Sequence, residues 1–222
     1  MVRGQRIRKA TLFLNGRYLR QDIETFEQFT NRRFLVAVDG GMKFFLKSSS
    51  SPDLLIGDFD SLPRSVKELP AKTKLVRLSK RKDATDSEAA LRYCLELGAN
   101  DILIVQPSVG EVDHFLGNIM LLRLAGVAEK TTISIVSRSE RIRLLSDRSI
   151  TIRDSKDDTV SLLPLSKRVK YTCSGCEYKA DQLTLSAGGS HGLRNRITAN
   201  RATFSVAGEA LLIQRFSGPV LG

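Results

Sequence analysis

Aspartates recur beside glycines along the first half of this chain, in four polar sequences. They are Asp39-Gly40-Gly41, Gly57-Asp58-Phe59-Asp60-Ser61, Lys82-Asp83-Ala84-Thr85-Asp86 and Ser108-Val109-Gly110-Glu111-Val112-Asp113-His114. Gathered into one cleft, Asp39, Asp58, Asp60, Asp83, Asp86 and Asp113 repel one another unless cations neutralise them. Hard divalent ions, Mg2+ above all, take oxygen ligands of this kind together with phosphate oxygens. Neighbouring glycines leave room for phosphates to approach backbone N–H groups. The chemistry indicated is that of a metal and a polyphosphate, most simply Mg2+ with a nucleoside triphosphate. Singly, each piece has a structural explanation. Asp-Gly-Gly makes a turn, Asp58 and Asp60 can cap a helix, and Asp83 and Asp86 suit the dipole at a helix start. Their joint occurrence at successive strand ends argues for a site.

The elements that position these residues follow from the hydrophobic pattern. Up to about residue 137, short apolar runs at Thr11–Asn15, Phe34–Val38, Asp53–Ile56, Lys74–Leu78, Asp101–Val105 and Thr132–Val136 read as strands. Helical patterns lie between them at Ile23–Thr30, Gly41–Lys47, Arg64–Leu69, Asp86–Leu97 and Val112–Ala125. The fourth has a capping box, Thr85-Asp86-Ser87-Glu88, and a stop at Gly98. This alternation predicts an α/β domain with a mainly parallel sheet over residues 1–137, whose ligands bind beyond the carboxyl ends of the strands. From residue 138 to 222 the pattern becomes all-β. Ile142–Leu145, Ile150–Arg153, Thr159–Pro164, Val169–Cys173, Leu183–Ser186, Ala202–Val206 and Ala210–Phe216 are separated by turn signals, among them Ala207-Gly208. A sandwich or partly open barrel is expected there.

Missing signatures narrow the function. No Gly-x4-Gly-Lys-Ser/Thr loop exists, which excludes a P-loop NTPase. Gly188-Gly189-Ser190-His191-Gly192 lacks the dinucleotide-binding spacing and falls in the β part. Cys173-Ser174-Gly175-Cys176 resembles half of a zinc site, but no second cysteine pair exists, and the two read as ordinary strand–turn cysteines. An Asp-x-Asp phosphatase would carry its pair after the first strand, whereas Asp58 follows the third.

The 222 residues are 41% hydrophobic and 27% charged, the balance of a globular protein of one large or two small domains. No apolar run reaches the ~18 residues of a membrane helix, so no membrane partner is expected. Three cysteines without an apolar leader suggest a reducing, cytoplasmic setting. The net charge of +11 is spread over both parts, +5 up to residue 135 and +6 beyond it. With 6% aromatics and no Trp, stacking platforms for nucleic acid are poorly supplied, and a nucleic-acid partner is not expected.

In order and spacing, from about residue 10 onward, the four polar sequences resemble those of the thiamine pyrophosphokinase family. So do Asp113-His114 with Asn118, and Gly188-Gly189-Ser190-His191-Gly192-Leu193-Arg194-Asn195. The resemblance implies an α/β domain followed by a β-sandwich that carries the thiamine site. It also implies a homodimer with active sites between subunits, and pyrophosphoryl transfer from ATP to thiamine. On that basis Asp58, Asp60, Asp83 and Asp86 are catalytic and hold Mg2+, with Asp39 beside them. Asp39, Gly40, Gly41, Lys82, Thr85, Ser108, Gly110 and Asn118 address ATP. Asp113, His114, His191, Gly192, Arg194 and Asn195 address the substrate. Two departures stand out: Val109-Gly110-Glu111 where the family usually has Gly-Gly-Arg, and Arg194 where it favours a small Ser. They leave open a pyrophosphokinase for a different small alcohol, or a weakly active or non-catalytic nucleotide-binding member.

Overall fold

The computed structural model describes residues 6–63, 69–81, 83–127 and 131–218. The chain divides after Arg138 into two compact units. Among the described residues no helix is long and apolar enough to cross a membrane. The helix expected at Arg64–Leu69 falls almost wholly outside the described residues.

In the first unit, β1 (Lys9–Phe13) leads to α1 (Arg20–Phe26), which tightens into a 3-10 turn at Glu27–Thr30. Then come β2 (Phe34–Val38), a 3-10 turn at Asp39–Gly41, α2 (Met42–Phe45), β3 (Leu54–Gly57) and β4 (Lys74–Arg77). Next are α3 (Asp86–Glu96), β5 (Asp101–Val105), α4 (Val112–Leu121) with a 3-10 extension to Val127, and β6 (Thr132–Val136). The six strands run parallel in the order β6-β5-β1-β2-β3-β4. Continuous apolar runs such as Leu35-Val36-Ala37-Val38 are buried because the sheet is covered on both faces. Phe13, at the end of β1, pairs in register with both Ala37 and Val105. Its ring stacks on Phe44 at 4.0 Å and meets the edge of Phe45 at 4.9 Å, which pins α2 to the end of the sheet. Strand order reverses at β1, with β2 on one side and β5 on the other, so a crevice opens beyond the carboxyl ends there.

Helix α3 starts where its capping sequence predicts. Thr85 Oγ1 accepts from the Glu88 N–H at 3.2 Å, and Ala90, Leu91 and Cys94 form its buried face. Thr85→Ala is expected to cost about 1 kcal/mol, a fall in melting temperature of ~2–4 °C by thermal unfolding.

The second unit is antiparallel throughout: β7 (Glu140–Arg153), β8 (Thr159–Pro164), β9 (Arg168–Ser174), β10 (Ala180–Ser186), β11 (Asn195–Arg196) and β12 (Arg201–Arg215). Strand β12 pairs along its length with β7 on one side, and with β9 and then β8 on the other. The core of this unit includes Leu145, Leu162, Val169, Phe204 and Leu212. Here the sequence expectation needs correction. The four runs Ile142–Leu145, Ile150–Arg153, Ala202–Val206 and Ala210–Phe216 are two long strands, and Ala207-Gly208 is a bulge rather than a turn. Gly208 (φ 102°) donates its N–H to Asp147 Oδ1 at 2.7 Å, and Asp147 itself has φ 47°. The ladder therefore skips one step and bends without ending.

Candidate active site

The site grows from close approaches that only glycine permits. As β2 ends, Asp39 enters a left-handed conformation (φ 46°) and the chain coils into the Asp39–Gly41 turn. A Cβ on Gly40 would stand 2.1 Å from Asn15 Oδ1, and one on Gly41 would stand 1.8 Å from the Phe13 carbonyl oxygen. The turn thus lies directly against the end of β1. At the end of β3, a Cβ on Gly57 would come within 2.8 Å of Asp39 Cβ, so Gly57 lets the next loop pass over Asp39. That loop is an Asx turn: Asp58 Oδ1 accepts from the Asp60 N–H at 3.1 Å, and Asp60 Oδ1 accepts from the Ser61 hydroxyl at 3.1 Å.

These turns bring one carboxylate oxygen each from Asp39, Asp58 and Asp60 within 4.8 Å of one another. They line a cleft of about 510 Å³ whose walls also carry Thr85 and Asp86 at the start of α3, and Gly110, Glu111, His114 and Asn118 around the start of α4. Burial pushes the Asp39 carboxyl up from its ordinary value, and the charges of Asp86 and Asp60 act the same way. Hydrogen bonding from Ser61 and from Gly40 partly offsets this. Among the described residues, the buried Oδ1 of Asp39 has no hydrogen-bond partner. A buried oxygen without a donor, on a residue grouped with two further carboxylates, suits a hard cation.

The raised carboxyl has a consequence for the metal-free protein. The folded state keeps the Asp39 proton above the ordinary unfolded value of ~3.9, so stability falls as pH rises from that value through the raised one. Asp39→Asn removes this loss. It is expected to raise the melting temperature in chelator at pH 7 and to have no such effect below both values, as thermal unfolding at the two pH values checks.

The other residues singled out from sequence are placed as follows. Gly40 and Gly41 are buried in the turn described above and do not themselves line the cleft. Asp83 is exposed and does not line the cleft. Lys82 lies outside the described residues. Ser108 turns its hydroxyl to the buried Asp22, which also accepts from the Leu19 N–H and so starts α1. Asp113 accepts from the His114 N–H at 2.7 Å, and groups with Glu111 and His114 in a second, fully exposed cluster. Asn118 donates to Gln106 Oε1 at 3.3 Å. In the second unit, His191 and Arg194 are exposed, and Gly192 packs with its Cα against the Leu162 carbonyl. The amide of Asn195 is committed to the backbone of Tyr178, donating to its carbonyl at 2.7 Å and accepting from its N–H at 3.0 Å.

Sequence reasoning missed Asn15, Gly16, Lys43, Ser61 and Gln106, all of which line the cleft. Asn15-Gly16 follows β1 just as the acidic loops follow β2 and β3, so the strand-end argument could have included it. Lys43 Nζ donates to Asn15 Oδ1 at 2.9 Å, a pairing that local spacing does not announce.

Six parallel strands with acidic and glycine-bearing loops gathered beyond their carboxyl ends define an α/β enzyme with its site at the strand-order reversal. Comparison with known proteins narrows the class. The family model for the thiamin pyrophosphokinase catalytic domain matches residues 26–136. A thiamine pyrophosphokinase of Bacillus subtilis (strain 168) is 30% identical over 187 residues, 81% of this chain and 86% of the relative. The crystal structure of thiamine pyrophosphokinase from Bacillus subtilis has a TM-score of 0.79 at 27% identity, covering 95% of this chain and 100% of that one. That of yeast thiamin pyrophosphokinase, at 15% identity, shares the fold with a TM-score of 0.74 over 96% of this chain and 88% of its own. The chain belongs to the thiamine pyrophosphokinase family.

Proposed function

We propose that this chain transfers the pyrophosphoryl group of ATP to the hydroxyethyl oxygen of thiamine, giving thiamine diphosphate and AMP. The observation that carries the reading is the convergence of Asp39, Asp58 and Asp60, with a partnerless buried oxygen on Asp39, at the carboxyl end of the sheet. The donor set is all oxygen and fits Mg2+. Asp39, Asp58, Asp60 and Asp86 would hold it, and the resemblance adds Asp83. Bound there, Mg2+ supplies positive charge against the phosphates and a template for their oxygens.

The chain's own groups account for the rest. The alcohol attacks the β-phosphorus in line, and AMP leaves with the electrons of the broken P–O bond. Such transfers depend mainly on positioning and charge neutralisation. Lys43 in the cleft offers a cation to the polyphosphate, and the first turns of α3 and α4 direct backbone N–H groups toward it. Asn118, held by Gln106, and His114 line the end of the cleft where nucleotide or acceptor is placed. The resemblance adds His191, Gly192, Arg194 and Asn195 of the all-β unit, read as a sandwich, as acceptor-binding residues. The molecule is read as a cytoplasmic homodimer on the family resemblance.

Incubation with ATP, thiamine and Mg2+ tests the reading. Thiamine diphosphate and AMP are expected in equal amounts, and a chelator should stop their formation. No product beside an active family member rejects the proposal.

A further inference from the structure

Two thiols that the proposed reaction does not use lie side by side in the second unit. Cys173 is the penultimate residue of β9, and Cys176 returns to an antiparallel bridge with Ile197. Between them Gly175 takes φ 78°, and a Cβ there would stand 2.2 Å from the Arg201 carbonyl oxygen. The Ser174-Gly175 turn is thus pressed onto the start of β12, and both cysteines belong to one buried cluster. Cys176 Sγ is within hydrogen-bonding reach of Cys173 Sγ. The pair is buried shallowly: Cys173 is 4% and Cys176 2% exposed, but Ser174, Glu177 and Tyr178 around them are exposed.

The surroundings treat the two sulfurs differently. Hydrogen bonding from Cys176, opposed by burial and joined by bonds from the Tyr171 hydroxyl, the Ala180 N–H and the Asn195 amide, holds the Cys173 thiol below its ordinary value. The bond to Cys173, together with burial, pushes Cys176 up. The Tyr178 carbonyl, 3.2 Å from Cys173 Sγ, accepts the proton when Cys173 carries one. Cys94, in the first unit, has no such neighbours, and burial alone pushes it up to about 12. Of the three cysteines, Cys173 is the one held below its ordinary value, Cys176 is its neighbour in the turn, and Cys94 belongs to the first unit.

We propose that Cys173 and Cys176 form a reversible dithiol–disulfide pair that peroxide oxidises. The Cys173 thiolate attacks one peroxide oxygen and the O–O bond breaks. The departing hydroxide takes up a proton to become water, leaving Cys173 as a sulfenic acid. The Cys176 sulfur then attacks the Cys173 sulfur, and the S–O bond breaks. Hydroxide leaves with the Cys176 proton as a second water. The dithiol is oxidised by two electrons and hydrogen peroxide is reduced by two. Oxidation removes the thiol bond to the Tyr178 carbonyl and leaves that carbonyl to the Asn195 amide.

The test uses the full-length chain, purified reduced and treated with hydrogen peroxide. Unfolding and alkylation follow, with intact mass and peptide mapping as readouts. The wild type is expected to lose two hydrogens in mass and two of its three alkylatable thiols, with Cys94 alone labelled, and to recover all three after dithiothreitol. Cys94→Ser is expected to make the same disulfide. Cys173→Ser and Cys176→Ser are each expected to abolish it, the latter stopping at an oxygen adduct on Cys173. Cys176→Ser changes a single atom, and its thermal unfolding shows whether the folded chain was tested. Three labelled thiols after peroxide, a bridge that includes Cys94, or a two-hydrogen loss that survives Cys176→Ser overturns the proposal.

Discussion

Asp58→Asn and Asp60→Asn are each expected to lower kcat by about three orders of magnitude, from the loss of ~4 kcal/mol of charge stabilisation. Both leave the fold in place. Asp58 Oδ1 accepts the Asp60 N–H and Asp60 Oδ1 accepts the Ser61 hydroxyl, and an asparagine carbonyl oxygen accepts both equally. Asp60 is half exposed and the Lys80 ammonium lies 3.9 Å from it, a loose surface pair, so little packing depends on its charge. The substitution thus removes negative charge from the cluster and keeps its geometry. Product formation at saturating ATP and thiamine, measured beside a thermal unfolding curve, separates lost chemistry from lost structure. An asparagine variant that turns over near the parent rate contradicts the assigned role.

Gly41→Ala is expected to destabilise the protein by about 3 kcal/mol or more, with activity lost in parallel. The added carbon would stand 1.8 Å from the carbonyl oxygen of Phe13 and 2.7 Å from its carbonyl carbon. Both are backbone atoms of the central strand, held by parallel ladders on two sides, so neither can swing away. The turn itself must lift, which carries Asp39 off the cluster and loosens the Phe13–Phe44–Phe45 packing. Denaturant unfolding measures the loss. Gly188→Ala provides the contrast within the same chain: nothing lies near its Cβ, and its cost is confined to the strain of φ 86°.

The parallel sheet was the most legible part of the fold. Phe34–Val38, Asp101–Val105 and Thr132–Val136 appear with the bounds that their apolar runs indicate, because a strand buried on both faces needs an unbroken run. Edges were less legible. Helix α1 begins at Arg20, three residues before its apolar pattern, because Asp22 accepts the Leu19 N–H at the polar first turn. In the second unit, Ala207-Gly208 carries the composition of a turn, and only the facing Asp147, sixty residues earlier in the chain, makes it a bulge. The grouping of Asp39, Asp58, Asp60 and Asp86 was legible because each follows a strand or opens a helix at the same end of the sheet. Ser108 follows a strand too, but its hydroxyl answers to Asp22, 86 residues away, which no local pattern reveals. Lys43 joins the cleft from the face of α2, where spacing reads only as a short amphipathic turn.

Strand β12 bears on how the protein is made. It is the shared neighbour of β7, β8 and β9, so β7 lacks its long antiparallel partner until translation has passed residue 201, β8 waits for the stretch after 210, and β9 has β10 on one side but an open edge on the other until then. At ~5–20 residues per second, a nascent chain carries these open apolar edges for several seconds while they remain unpaired. The parallel sheet has all six of its strands by Val136 and can close on the ribosome. The antiparallel half condenses only when its last strand arrives, and it is the stretch of synthesis in which a chaperone has most to shield.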